Sequence, residues 1–117
     1  MFAGHHRLGN LTAVVDRNGS QCMGSTLEIL DRPDHSAAWE AMGWKPVEVD
    51  GHDISVLVEA LSQPPDQAPQ VLIARTVLGK GVSFMEGRTD WHYKNLSPEQ
   101  AESALEELGE NCASSPD

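Results

Sequence analysis

The residues Asp16-Arg17-Asn18-Gly19-Ser20 set a carboxylate, a side-chain amide and several turn carbonyls next to one another. Grouped hard oxygens of this kind suit Mg²⁺ or Ca²⁺ rather than zinc. Asp and Asn are equally good turn formers, so a turn that holds no ion explains the same residues. Lys80 lies between Gly79 and Gly81, as in a phosphate loop, but the full Gly-x-x-x-x-Gly-Lys-Ser/Thr pattern is absent. The two glycines read better as letting a loop pass close to a ligand or partner. Trp39, Trp44 and Trp91 could stack on a ligand; at helix, strand and interface positions they read as packing anchors. His52, inside Asp50-Gly51-His52-Asp53, reads as tightening a turn, and His35 as a surface helix residue. His5 and His6 fit the end of a helix and receive no catalytic role.

The elements that must position these residues follow from hydrophobic patterning. Leu11-Thr12-Ala13-Val14-Val15 is a continuous, β-branched run that stops at the Asp16 to Ser20 turn. Such a run predicts a strand buried on both faces of a parallel sheet. Gln21 to Arg32 reads as loop with one helical turn at most. From Pro33, Ala37, Ala38, Ala41 and Met42 recur at helical spacing until Gly43 stops the helix. Trp44 to Val49 reads as a second strand with Pro46 near its start. Asp53 can cap a helix carrying Ile54, Leu57, Val58 and Leu61 on one stripe. Ser62 to Pro69, with Pro64-Pro65 inside it, reads as loop. Val71-Leu72-Ile73-Ala74 predicts a third buried strand, running on through Val77 into Gly79-Lys80-Gly81.

An irregular stretch with Trp91-His92 comes next. Ser97-Pro98-Glu99-Gln100 is a capping box with proline at the first helical position. The helix it opens carries Ala101, Ala104, Leu105 and Leu108, with Gly109 expected to end it. Residues 110–117 are expected to form a flexible tail. Strand, helix, strand, helix, strand, helix is the order of an α/β sheet with parallel crossovers. Three strands are few for such a sheet, and nothing before residue 11 supplies a fourth. The fold class expected is α/β, a partial parallel sheet with flanking helices. Exposed apolar surface along the broken sheet edge follows, and with it self-association.

Composition narrows the function classes. Eighteen acidic residues against eight basic ones give a formal charge of -10, which disfavours nucleic acid and anionic membrane as partners. The stretch Glu99 to Glu110 holds much of the acid excess and reads as a solvated helix face. Hydrophobic residues make up 39% of the chain, so a domain of this kind leans on a partner for part of its apolar cover. Cys22 and Cys112 have neither metal spacing nor a disulfide framework, and read as free thiols of a reducing cytoplasm. No run has signal-peptide or membrane-span character, so a cytoplasmic location is expected.

A resemblance weighs these alternatives. Leu8-Gly9-Asn10-Leu11-Thr12-Ala13-Val14-Val15-Asp16-Arg17-Asn18-Gly19 is similar to the end of the thiamine-diphosphate motif of transketolases. Gly43-Trp44, Val49-Asp50-Gly51-His52-Asp53, Ala74-Arg75-Thr76-Val77, Gly79-Lys80-Gly81-Val82-Ser83-Phe84-Met85-Glu86 and Trp91-His92 follow in the family's order. Each tag is weak alone and their ordered combination is specific. The likeness covers about residues 3–109 and points to the separate amino-terminal subunit of two-chain transketolases. Residues 1–109 are thereby expected to form part of a thiamine-diphosphate-binding fold. The family's upstream Gly-Asp-Gly, whose Asp is another metal ligand, does not occur in this sequence.

The resemblance implies thiamine diphosphate and Mg²⁺ as cofactors, with the Asn18 side-chain oxygen and the Ser20 carbonyl as metal and cofactor contacts. Asp16 is expected to brace the turn rather than bind the ion. His92 matches the Trp-His of the subunit family and is expected near the diphosphate or the sugar substrate, as a catalytic and cofactor-binding residue. Other transketolases carry two histidines in this loop; Thr89 falls where the first would be, and Tyr93 replaces a usual glycine. The implied activity is transfer of a two-carbon ketol unit between sugar phosphates. The implied partner is a pyrimidine-binding domain or subunit, in a homo- or hetero-oligomer, which supplies the Glu that activates the aminopyrimidine. A truncated or assembly module without activity alone is the alternative, and an unrelated α/β binding module a third.

Overall fold

The structure is a computed structural model that describes residues 1–21, 23–30, 35–64 and 66–113, with side chains described as far as Gly109. The readings placed on Cys22, Pro33, Pro65, the Cys112 thiol and residues 114–117 lie outside what is described. The chain divides into two units: Met1–Asn18 with Leu30–Thr76, and Gly19–Ile29 with the chain from Val77 onward.

The first unit is built on three parallel strands, β1 (Thr12–Arg17), β4 (Lys45–Asp50) and β5 (Gln70–Arg75), in the order β1-β5-β4. The register pairs Val14 with Leu72 and Val47 with Leu72, so these three side chains share one face. The partial parallel α/β sheet expected from the sequence is therefore present. Three helices complete the unit: α1 (Phe2–His5), α3 (His35–Ala41) and α4 (Ile54–Leu61). Crossovers between parallel strands are right-handed as a rule, and a path out from β1 to β4 and back to β5 then puts α3 and α4 on opposite faces. The burial of β5 agrees, since Val71, Leu72 and Ile73 are wholly buried and Ala74 nearly so.

Three sequence expectations change here. β1 runs on through Asp16 and Arg17, because the β5 ladder continues to the pair Arg17–Arg75. It is not buried on both faces: Thr12, Val14 and Asp16 are exposed while Ala13, Val15 and Arg17 are half-buried. On α4 the expected apolar stripe exists but faces largely outward, with Ile54, Val58 and Leu61 exposed. The helix instead borders the sheet with Val56 and Ala60, which line a cleft against Val47 and Val49.

Local signals behaved as their chemistry dictates. Asp53 caps α4 by accepting a hydrogen bond from the Val56 N–H at 3.1 Å. Gly43 ends the α3 segment with φ of 80°, a left-handed backbone that suits glycine. Trp39 and Trp44 meet edge to face at 5.0 Å, as packing anchors do.

The second unit holds a small antiparallel ribbon, β2 (Ser20–Gln21) with β3 (Gly24–Ser25), where a plain loop was expected. The one helical turn foreseen there is α2 (Thr26–Leu30), whose last residue belongs to the first unit. A 3-10 turn (Thr89–His92) and α5 (Pro98–Ala113) follow. Both arms of the capping box form: Gln100 N–H donates to Ser97 Oγ at 3.2 Å, and Ser97 N–H to Gln100 Oε1 at 3.0 Å. Gly109 does not end α5; it lacks a positive φ, and the helix passes through it to Ala113. Of the stripe expected on α5, Ala104 is buried while Leu105 and Leu108 are exposed.

Candidate functional site

Ligands of open α/β sheets bind beyond the carboxyl ends of the strands. In the first unit those ends carry Asp16 and Arg17 as the last residues of β1 with Asn18 after them, Gly51 and His52 after β4, and Thr76 after β5. Asn18 Nδ2 donates to Asp16 Oδ2 at 3.2 Å, and Asp16 Oδ1 accepts from the Thr76 hydroxyl. Asp16 thus has both carboxylate oxygens engaged within the protein, as a brace requires. His52 closes the turn after β4 through its backbone, donating N–H to Asp50 Oδ1 at 2.9 Å, and its ring is exposed. That is the structural role read from the sequence.

In the second unit Ser20 lies in the ribbon strand β2, with its hydroxyl 3.4 Å from that of Thr89. Thr89 opens the 3-10 turn that ends in His92, so Ser20 and the His92 turn are brought together. The His92 side chain is exposed. Its turn is held by Trp91, whose indole N–H donates to the Phe84 carbonyl at 3.0 Å and whose ring meets Phe84 at 5.6 Å. Asp90 pairs with Lys94 and, at 3.3 Å, with Arg88. The hydrogen bond from Lys94 is the main cause that holds the Asp90 carboxyl below its usual range; burial, next in size, opposes it, and the Arg88 and Lys94 charges add to the lowering.

The Gly79-Lys80-Gly81 loop closes on itself. Lys80 Nζ pairs with Glu86 at 3.4 Å, the Gly81 N–H donates to the same carboxylate at 3.1 Å, and Gly79 and Gly81 have φ of 68° and 88°. Lys80 is therefore committed to an ion pair. Ser83 ties the loop to α5, its N–H donating to Glu107 at 2.6 Å and its hydroxyl at 2.9 Å.

The donors at the Asp16 to Ser20 turn are hard oxygens, which fits Mg²⁺ in kind. Six such ligands complete a magnesium shell; the two expected from the sequence, the Asn18 side-chain oxygen and the Ser20 carbonyl, fall one in each unit. Among the described residues no group of three or more His, Cys, Asp or Glu could hold a metal. No described helix is long and apolar enough to cross a membrane. Sequence reasoning missed Thr76 and Gly51 as parts of the strand-end cluster. Both stood in recognisable tags, but their contacts depend on strand order, which a single sequence does not reveal.

Over residues 1–115 the chain matches the family described as the transketolase, thiamine diphosphate binding domain, and it belongs to that family. It is 41% identical over 109 residues to an apulose-4-phosphate transketolase subunit of Actinobacillus succinogenes, covering 92% of this chain and 40% of the relative. A 6-deoxy-6-sulfo-D-fructose transketolase subunit of Clostridium sp. is 36% identical over 110 residues, with 92% and 40% covered. Among solved structures, the transketolase of Campylobacter jejuni superposes with a TM-score of 0.79 at 27% identity, over 92% of this chain and 17% of that one. The chain thus spans about 40% of the length of these two transketolase subunits.

Proposed function

We propose that this chain contributes part of the thiamine diphosphate and Mg²⁺ site of a cytoplasmic transketolase-type enzyme that moves a two-carbon ketol unit between sugar phosphates. The observation that carries the reading is the Asn18 amide, held by Asp16 at the carboxyl end of a parallel strand, in a chain of this family. Asn18 Oδ1 and the Ser20 carbonyl are the metal contacts this chain offers, and a metal there neutralises diphosphate charge that the protein would otherwise have to bury. The bound cofactor supplies carbanion chemistry, and the protein supplies position and electrostatics. His92, at the tip of a braced turn near Ser20, is the candidate for contact with the diphosphate or sugar. Both bacterial relatives are named as single subunits of their transketolases, which supports a separate pyrimidine-binding partner. Their names carry different substrates, a sugar phosphate in one and a sulfo sugar in the other. In the complete assembly Asn18→Ala should weaken Mg²⁺-dependent activation; unchanged cofactor affinity would refute the ligand assignment.

The exposed apolar residues of β1 and α4, together with the short donor set, favour a second reading as an assembly module without activity of its own. Calorimetric titration of thiamine diphosphate and Mg²⁺ into the purified chain separates the two. Binding at low micromolar strength would sink the second reading.

A further inference from the structure

The carboxyl ends of all three strands of the first unit converge on Thr76. A Cβ placed on Gly51 would stand 2.4 Å from Thr76 Cγ2, so the threonine methyl occupies the space that the missing side chain leaves. The backbone on either side of that contact is pinned as well. Gly51 N–H donates to the Arg75 carbonyl at 2.8 Å, and Thr76 N–H donates to the Arg17 carbonyl at 3.4 Å. Threonine is stiff at χ1. With its methyl committed to the Gly51 side, its hydroxyl is delivered to Asp16 Oδ1. The other oxygen of Asp16 accepts from Asn18 Nδ2 at 3.2 Å. An ionised carboxylate only accepts, so it can hold only the NH₂ end of an amide.

We propose that Gly51, Thr76 and Asp16 form a positioning relay that fixes the amide of Asn18, nitrogen toward Asp16 and oxygen away from it, as a hard ligand for a divalent cation. The relay rests on the reading of Asn18 as a metal ligand given above. It assigns a purpose to two tags whose role the sequence left blank, the glycine after β4 and the threonine after β5. Groups that orient a metal ligand change affinity ten- to a hundredfold when removed, although they never touch the ion.

The test uses the full chain labelled with ¹⁵N and Mn²⁺ alone as the probe. The side-chain NH₂ resonance of Asn18 is assigned by its loss in Asn18→Ser. Thr76→Val keeps the shape and the methyl contact but removes the hydroxyl. It should move the Asn18 NH₂ resonance toward that of a solvated amide, and raise the Mn²⁺ concentration that half-broadens it about tenfold. Thr76→Ser, which keeps the hydroxyl but not the methyl that aims it, should restore both readouts in part. Gly51→Ala should act like Thr76→Val, because the new Cβ displaces the threonine methyl. Should Thr76→Val fail to fold, Asp16→Asn carries the test, since an amide partner can meet either end of Asn18. A folded Thr76→Val with the Asn18 resonance and the Mn²⁺ half-point of the parent chain overturns the relay. Broadening that never reaches Asn18 in the parent chain, with the resonance still shifted by Thr76→Val, upholds the orientation of the amide and overturns the metal assignment.

Discussion

β1 and β5 read almost alike as sequence and end in opposite circumstances. Thr12-Ala13-Val14-Val15 and Val71-Leu72-Ile73-Ala74 are both short apolar runs rich in β-branched residues. In the sheet, Leu72 is 0% exposed while its register partner Val14 is 58% exposed. β5 is central, paired on both edges and covered on both faces. β1 is paired on one edge only among the described residues, and its Thr12, Val14, Asp16 face is open. The difference teaches that an apolar run records what a strand needs, and its place in the sheet decides whether this chain meets the need. The outward Ile54, Val58 and Leu61 of α4 tell the same story on a helix. Both are sequences written for cover that these residues do not supply.

The largest test of the comparison is Leu72→Ala. Cutting a wholly buried leucine from the central strand should cost about 2–5 kcal/mol, enough to unfold a small unit or nearly so. Urea denaturation followed by circular dichroism measures it. Ile73→Val, which removes one methylene from the same strand, should cost about 0.5–1.5 kcal/mol with the fold intact. If both substitutions cost little, β5 is not the core and the contrast with β1 collapses.

Val14→Thr probes the other side. An exposed β-branched position changed to its polar isostere should move stability by no more than about 0.5 kcal/mol. Self-association, followed by sedimentation velocity, should fall, because an open apolar strand is a template for pairing. A cost near that of Leu72→Ala would show that the outer face of β1 is covered in solution, and the comparison would need redrawing.

The same contrast explains what could be read without the structure. Order and parallel sense of the three sheet strands and the helices after them were legible, since they follow from run length, the Gly43 stop and the caps at Asp53 and Ser97; the β2-β3 ribbon was not. The end of β1 was misplaced because Asp16, Asn18, Gly19 and Ser20 are turn formers by type, yet the ladder to β5 holds Asp16 and Arg17 in the strand. Gly109 failed as a helix stop because glycine permits a left-handed bend without imposing one. At the candidate site, Asn18 and Asp16 stood out as a group of hard oxygens, and their roles came only from the family resemblance. Thr76 and Gly51 did not stand out, because they reach the turn only through a strand order in which β5 lies between β1 and β4. Residues sixty positions apart meet there for topological reasons that no local pattern encodes.

The smallest expected effect concerns the amino-terminal end of the pair β4 and β5. Lys45 opens β4, and Asp66 lies shortly before β5. The Asp66 carboxylate accepts the Gln67 N–H at 2.7 Å and Lys45 Nζ at 3.1 Å. The backbone hydrogen bond first, then the Lys45 hydrogen bond and charge, hold its pKa below the usual carboxylate value. A depressed folded-state pKa contributes stability that is present above the unfolded-state value and is lost as pH falls through the folded one. Both side chains are more than half exposed, at 58% and 54%, so water and salt screen the pair and little is at stake near neutral pH. Asp66→Asn should therefore leave the denaturation midpoint almost unchanged at pH 7 and flatten its decline below about pH 4. Denaturation curves taken at steps of pH, in low and in high salt, measure both. A decline equally steep in the variant would mean that other carboxylates carry the acid sensitivity, and that β4 and β5 are held by their ladder and the burial of β5 without help from this pair.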